Sequence, residues 1–212
     1  MHVERAKPIM RRGYLVILAV LALALAAITG LAFKKGVLGP RQQTAAVGGP
    51  FHLTDQAGRP AGAERLKGKW SAVFFGYTHC PDACPTTLFA LRQAETLLGP
   101  DANRFQTVFV SVDPARDTVP QMATYLANPA FPRRVIGLTG SAAQVAEAAH
   151  AYKVFYQRAG DGADYAVNHS SFTYLMNPRG DFTCVIPYDT PPPAIVAHLH
   201  AAMARGEAAE SC

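Results

Sequence analysis

The stretch FFGYTHCPDACP (residues 74–85) ends an apolar run with two cysteines, Cys80 and Cys84, four positions apart and bracketed by prolines. Sulfurs at that spacing can converge on one point, as a structural disulfide, a thiol redox couple or part of a metal site. Thiolates are soft ligands that select Cu(I), zinc or iron–sulfur clusters. Copper tolerates low coordination, so two sulfurs and one imidazole nitrogen suffice for a three-coordinate Cu(I) site. The two sulfurs alone do not choose among these chemistries. A third ligand would.

The elements around the pair follow from residue patterning. WSAVFFGYT (70–78) is an aromatic and β-branched run expected of a buried central strand. Residues 86–98 place Leu88, Leu91, Ala94, Leu97 and Leu98 at helical spacing, with Pro85 tolerated at or just before the first turn. Cys80 then lies on the loop leaving a strand and Cys84 near a helix start, where free N–H groups and the helix dipole favour thiolate over thiol.

The pattern continues as strand and helix in alternation. FQTVFVSVD (105–113) reads as a strand, and TVPQMATYLA (118–127) as a helix capped by Thr118 with Gln121 as its return partner. RVIGLTG (134–140) is a third short strand. SAAQVAEAAHAY (141–152) is a helix whose Ser141 and Gln144 suit a capping box. This order predicts a mostly parallel sheet covered on both faces.

SFTYLMNPRGDFTCVIPY (171–188) is two β-rich runs around a Pro–Gly turn, an antiparallel hairpin, and 191–203 supplies a closing helix. FHLTDQAGRP (51–60) reads as a short hairpin at the domain edge. The plan is that of an α/β, thioredoxin-like fold with an N-terminal hairpin extension.

The chain has 212 residues, half of them hydrophobic, enough for one sizeable core. Residues 13–33, GYLVILAVLALALAAITGLAF, are uncharged and long enough to cross a hydrocarbon layer. Arg5, Lys7, Arg11 and Arg12 precede this run, so the positive-inside bias puts the N-terminus in the cytoplasm and the remainder across an inner membrane, on its periplasmic side. A cleaved signal peptide is the competing reading, because Ala24-Leu25-Ala26 resembles a cleavage site, but the apolar run exceeds a signal core. Residues 1–12 are then a cytoplasmic start, 13–33 an anchor, 34–50 a Gly/Pro-broken linker, 51–205 the folded domain and 206–212 a flexible tail. The net charge of +5 comes from the segments flanking the anchor, since residues 1–41 carry seven basic residues and one acid and the remainder carries 13 basic and 14 acidic residues. No basic patch argues for nucleic acid.

Seven histidines compete for the third ligand position. His79 adjoins Cys80 in sequence. His52 and His150 fall in an edge hairpin and at a helix end. His198 and His200, two apart in a helix, do not share a face. His169 precedes a core strand, and in a thioredoxin-like sheet the segment leading into that hairpin faces the cysteine loop.

Three motifs, FFGYTHCPDACPTTL, VSVDPARDT and NHSSFTYLMNPRGDF, resemble in order and separation those of the Sco/SenC proteins, membrane-anchored copper chaperones that assemble the Cu-A centre of cytochrome c oxidase. The resemblance spans residues 51–202. It implies a copper cargo, Cu(I) or Cu(II), with ligands at Cys80, Cys84 and His169. Asp113 and Asp117 match the family's acidic segment and are expected to organise loops around the site. For Asp113 a turn or cap acid at a strand end serves as well.

The implied partner is the Cu-A-bearing oxidase subunit, with another copper chaperone or a thioredoxin-like reductase as further candidates. Oxidation to a Cys80–Cys84 disulfide would remove both sulfur ligands and release copper. Two departures stand out: Asn168 occupies a position usually held by Asp, and Val119 intrudes between Thr118 and Pro120.

The rival reading is an enzyme, a membrane-anchored thiol–disulfide oxidoreductase using Cys80 and Cys84 to keep the oxidase's cysteines reduced. Such enzymes usually have two residues between the cysteines and a cis-proline facing them. Here there are three, and 168–171 contains no proline. Cys184, in a strand-like run, suits core packing, and Cys212 is expected to be mobile.

Overall fold

The computed structural model describes residues 8–34, 47–206 and 212; within the first helix it describes the side chains of 14, 15 and 17–30. Most of the expected linker, the start of the expected cytoplasmic segment and most of the expected C-terminal tail lie outside these residues. The chain forms two compact units, 1–45 and 46–212.

The first unit contains helix α1 (Pro8–Lys34). Its described large apolar side chains, from Tyr14 to Ile28, are all exposed. Among the described residues, no helix is long and apolar enough to cross a membrane.

The second unit is built on a seven-stranded sheet in the order β2-β1-β5-β4-β3-β8-β9. Its strands are β1 (His52–Asp55), β2 (Pro60–Gly62), β3 (Trp70–Gly76), β4 (Phe105–Ser111), β5 (Val135–Thr139), β8 (Thr173–Met176) and β9 (Phe182–Ile186). The helices are α2 (Ala83–Leu97), α3 (Val119–Leu126), α4 (Ala142–Ala151) and α5 (Pro192–Arg205). A separate two-stranded sheet pairs β6 (Tyr156–Ala159) with β7 (Ala166–His169).

Every residue of β3 and β4 is buried, as covering on both faces requires. On one face Trp70 and Ala72 pack with Leu91 of α2 and Leu199 of α5. On the other, Val73 and Phe75 join Val145, Ala148 and Tyr152 around α4.

The α/β, thioredoxin-like plan is the observed one, including the β1–β2 hairpin at the edge. The sheet, however, is not mostly parallel. Within this sheet only β3–β4 and β4–β5 are parallel pairs; β1 and β8 flank this centre antiparallel to it, and β2 and β9 pair antiparallel with them in turn. The helix-linked middle strands alone obey the crossover rule, because the flanking hairpins reverse direction through tight turns.

Helix α2 starts earlier than periodicity suggested, with Asp82 as cap and Pro85 inside the first turn, where its missing N–H costs no helical bond. Leu97 faces solvent, while Leu88, Leu91 and Ala94 are buried. The Ser141–Gln144 capping box is present. Thr118 caps α3 by accepting from the Gln121 N–H, and Pro120 fits that helix's first turn behind Val119. The Gln121 side chain goes elsewhere, donating to Thr78 Oγ1 at 3.2 Å.

Cys184 and Cys212 are joined by a disulfide, with Cα atoms 5.8 Å apart. Both pack against the cluster beneath α5. Their pairing replaces the reading of one core thiol and one free terminal thiol; 28 positions separate them, and that distance hid the partnership.

Candidate metal centre

Sheet register gathers the site. Parallel pairing sets Gly76 of β3 beside Ser111 of β4, so the loops leaving both strands emerge together at one sheet edge. The Val112 N–H donates to the Gly76 carbonyl at 2.8 Å, tying those loops. Antiparallel β8 begins at the same edge, with Thr173 opposite Phe74, so the segment leading into it arrives there too. Carboxyl ends of parallel strands are where open α/β sheets bind ligands.

The cysteine loop turns through a bond from the Cys80 N–H to the Tyr77 carbonyl. Cys84 lies in the first turn of α2, fully buried, and its N–H donates to the Cys80 sulfur at 3.4 Å. Cys80 is half-buried. Gly76 gives Cys84 its space: a Cβ there would stand 2.7 Å from the Cys84 sulfur and 2.9 Å from the Phe109 ring.

His169 ends β7, with its Nε2 3.7 Å from the Cys84 sulfur. Its Nδ1 lies 2.9 Å from the Ser170 carbonyl oxygen. A carbonyl only accepts, so Nδ1 carries the proton and Nε2 offers its lone pair toward the sulfurs. The rings of Phe74 and Tyr77 meet the imidazole edge-on at 6.1 and 5.8 Å. Both cysteine sulfurs and one His169 ring nitrogen lie within 4.8 Å of one another. Three ligands around a metal with bonds of about 2.2 Å stand about 3.8 Å apart, so about an ångström of adjustment closes the set.

The thiols are electrostatically unequal. The Cys84 thiol, joined by the His169 imidazole and then by the backbone N–H groups of Cys84 and Asp82, outweighs partial burial and brings Cys80 down to about 3. The Cys80 sulfur and burial push Cys84 up. The pair therefore holds one proton, on Cys84, with the Cys80 sulfur and Nε2 both in reach as acceptors. A soft cation binding both sulfurs must expel that proton.

Asp117 is buried beneath the cysteine loop. It accepts from the Thr78 N–H at 3.1 Å, Thr78 Oγ1 at 2.7 Å and Ser111 Oγ at 2.6 Å. Burial pushes its carboxyl above the usual range, and the Ser111 and Thr78 bonds only partly oppose this. Asp113 faces the β6–β7 hairpin, accepting from the Tyr165 hydroxyl and from Arg116 Nε. Asp117 thus braces the cysteine loop and Asp113 the hairpin that carries His169, and Ser111 Oγ links the two by donating to Asp117 and accepting from the Asp113 N–H.

Asn168 is exposed on β7 opposite Gln157. His79 points to Thr78 Oγ1, 3.1 Å from its Nδ1, and His200 lies 3.8 Å from Asp101. Among the described residues, Cys80, Cys84 and His169 are the group positioned to hold a metal ion. Sequence reading did not single out Gly76, Tyr77, Thr78, Arg116 or Tyr165, or find the β6–β7 hairpin. The signal for the hairpin was the GDGAD turn cluster (160–164) between two short runs.

The SCO1/SenC family profile matches residues 39–204. The chain belongs to the SCO1/SenC family. Human "Protein SCO2 homolog, mitochondrial" is 46% identical over 144 residues, covering 66% of this chain and 53% of that protein. The chain spans about half the length of such curated relatives. Among solved structures, Bradyrhizobium japonicum ScoI with copper bound is 39% identical with a TM-score of 0.68, covering 74% of this chain and 99% of that one. Yeast Sco1 with copper bound is 34% identical with a TM-score of 0.71, covering 78% and 92%. Copper is thus the metal seen in structures similar to this Sco protein, whose own Cys80, Cys84 and His169 are grouped to take a metal ion.

Proposed function

We propose that this Sco protein is a membrane-anchored copper metallochaperone that carries copper on Cys80, Cys84 and His169 and delivers it to the Cu-A site of cytochrome c oxidase. The observation that carries the reading is the convergence within 4.8 Å of two sulfurs and a lone-pair nitrogen from segments 85 residues apart. Family membership supplies the oxidase context.

Two thiolates and neutral imidazole suit Cu(I) as cargo. Loading displaces the Cys84 proton. Ligand exchange at the half-exposed Cys80 opens the way out, and thiol–disulfide exchange with an external disulfide, which takes the two electrons and leaves as two thiols protonated from solvent, joins the two thiolates as a Cys80–Cys84 bond and removes both sulfurs. The uncharged run 13–33, which falls within α1, supports a single-pass anchor with the copper domain on the periplasmic side. That anchor confines donor and acceptor to one plane and raises their effective concentration.

X-ray absorption of the reduced, copper-loaded chain tests the reading. Two sulfur neighbours and one nitrogen are expected, with the nitrogen lost in His169→Ala. An unchanged nitrogen count in that variant would overturn the ligand set.

One observation favours a second reading, a thiol–disulfide reductase acting on the oxidase's cysteines. Cys80 is accessible and thiolate while Cys84 is buried and protonated, the division of labour between an attacking and a resolving thiol. Rapid disulfide turnover by the metal-free protein would promote it.

A further inference from the structure

The hairpin that carries His169 is not part of the main sheet. Strands β6 and β7 pair with each other, and no described ladder bond ties either to the seven-stranded sheet. Register brings the cysteine loop and the segment entering β8 to one end of the sheet, but the hairpin that bears the imidazole has no ladder of its own to that sheet among the described residues.

At the far end of β7, four residues before His169, stands Tyr165. The Arg116 guanidinium carbon lies 3.6 Å from the Tyr165 ring centroid and that of Arg158 lies 3.9 Å from it. Two planar guanidinium groups cannot share one ring face at those heights, so the tyrosine is sandwiched between them. Arg158 belongs to the hairpin itself and donates to the carbonyls of Gly160 and Gly162 in its turn. Arg116 belongs to the body of the domain, in the loop after β4.

Arg116 therefore grips the hairpin from outside. Its Nη1 donates to the Ala163 carbonyl at 3.2 Å, its Nε is bound to Asp113, and Asp113 in turn accepts from the Tyr165 hydroxyl. The Arg116 side chain is only 16% exposed, so these charge-assisted contacts are weakly screened. The same guanidinium carbon lies 5.7 Å from the Tyr77 centroid, and Tyr77 meets His169 edge-on. One side chain thus touches the hairpin turn, the stacked Tyr165 and the ring beside the imidazole.

We propose that Arg116 and Tyr165 form a clasp that holds the β6–β7 hairpin against the body and so positions His169 for the copper held by Cys80 and Cys84. This rests on the three-ligand reading above. Near His169, backbone bonds between Phe155 and Ser170 close the hairpin on itself but do not reach the body. Without the clasp, β7 pivots about the buried Val167, and His169 spends less time within reach of the sulfurs. Apparent affinity falls with the populated fraction of the competent arrangement. Arg116 and Tyr165 are positioning residues.

The test is a double-variant cycle on the full chain, reading Cu(I) affinity by competition with a chromogenic chelator. Arg116→Gln and Tyr165→Leu are each expected to lower affinity roughly 10- to 100-fold, as loss of supporting partners around metal ligands does. Combined with His169→Ala, neither should lower it further, because the residue they position is gone. Arg116→Lys, which keeps the charge beside Asp113 but loses the planar stack, should fall between, and it is the variant to read if Arg116→Gln does not fold. Equal losses with and without His169 would overturn the clasp, as would undiminished affinity in Arg116→Gln and Tyr165→Leu. If His169→Ala alone leaves affinity unchanged, it is the ligand set that fails.

Discussion

Gly76 and Cys84 are in contact through the space where a side chain would otherwise be: a Cβ on Gly76 would stand 2.7 Å from the Cys84 sulfur. The constraint is steric rather than conformational, since Gly76 lies in the extended strand β3. A strand end has been kept bare so that a helix-borne sulfur can sit over the sheet edge.

Gly76→Ala should therefore displace Cys84 or push on Phe109. We expect a stability loss of about 1–3 kcal/mol, typical of overpacking a tight core, together with a roughly 10-fold loss of copper affinity. Denaturant unfolding and chelator competition would measure the two. Wild-type affinity in a folded variant would show that the sulfur has room to spare.

Cys80 is the reactive thiol, and its reactivity should hardly depend on pH across the neutral and mildly acidic range. Its folded pKa lies far below the ordinary thiol value, so thiolate persists as pH falls until it is protonated near the shifted value of about 3. Alkylation of the reduced, metal-free chain, followed by peptide mass spectrometry, should modify Cys80 at nearly equal rates at pH 5 and pH 8. Buried Cys84 should remain unmodified. A rate for Cys80 that drops tenfold per pH unit below 8 would mean that the Cys84 proton does not stabilise it.

The Cys184–Cys212 bridge closes a loop spanning 28 positions that contains all of α5. In the chain-entropy view such a cross-link stabilises by about 3–4 kcal/mol. Cys212→Ser should lower the thermal midpoint by roughly 5–15 °C in a domain of this size. Copper affinity should be unchanged, because the bridge packs on the cluster beneath α5 rather than on the one containing Cys84. Equal melting with and without reductant would show that the bridge contributes nothing.

Local signals carried most of the domain. The buried run of β3, the capping box of α4 and the turn between β8 and β9 are each specified by residues adjacent in the chain, and each is observed. Cys80 and Cys84 were legible for the same reason. His169 was not legible from its own surroundings: its partnership with sulfurs 85 positions away needed a fold, which the strand–helix patterning supplied, and the resemblance of three motifs then implied its role as a ligand. The β6–β7 hairpin escaped because its strands are four residues each and largely exposed, so hydrophobic alternation barely registers. Leu97 was misread because it lies beside, not on, the buried stripe that runs through Leu88, Leu91, Ala94 and Leu98. Gln121 fits a return-partner pattern, yet Thr78 competes for its amide from a distant loop, a choice that only tertiary contact decides.

The order in which the ligands occur along the chain has a consequence for biogenesis. Cys80 and Cys84 are synthesised well before His169, and the imidazole reaches them only after β8 has docked beside β3 and the hairpin ahead of it has settled. During that interval the dithiol is complete in covalent terms but lacks its guard. Premature oxidation is then a hazard of maturation itself, greatest in the time between emergence of α2 and closure of the sheet.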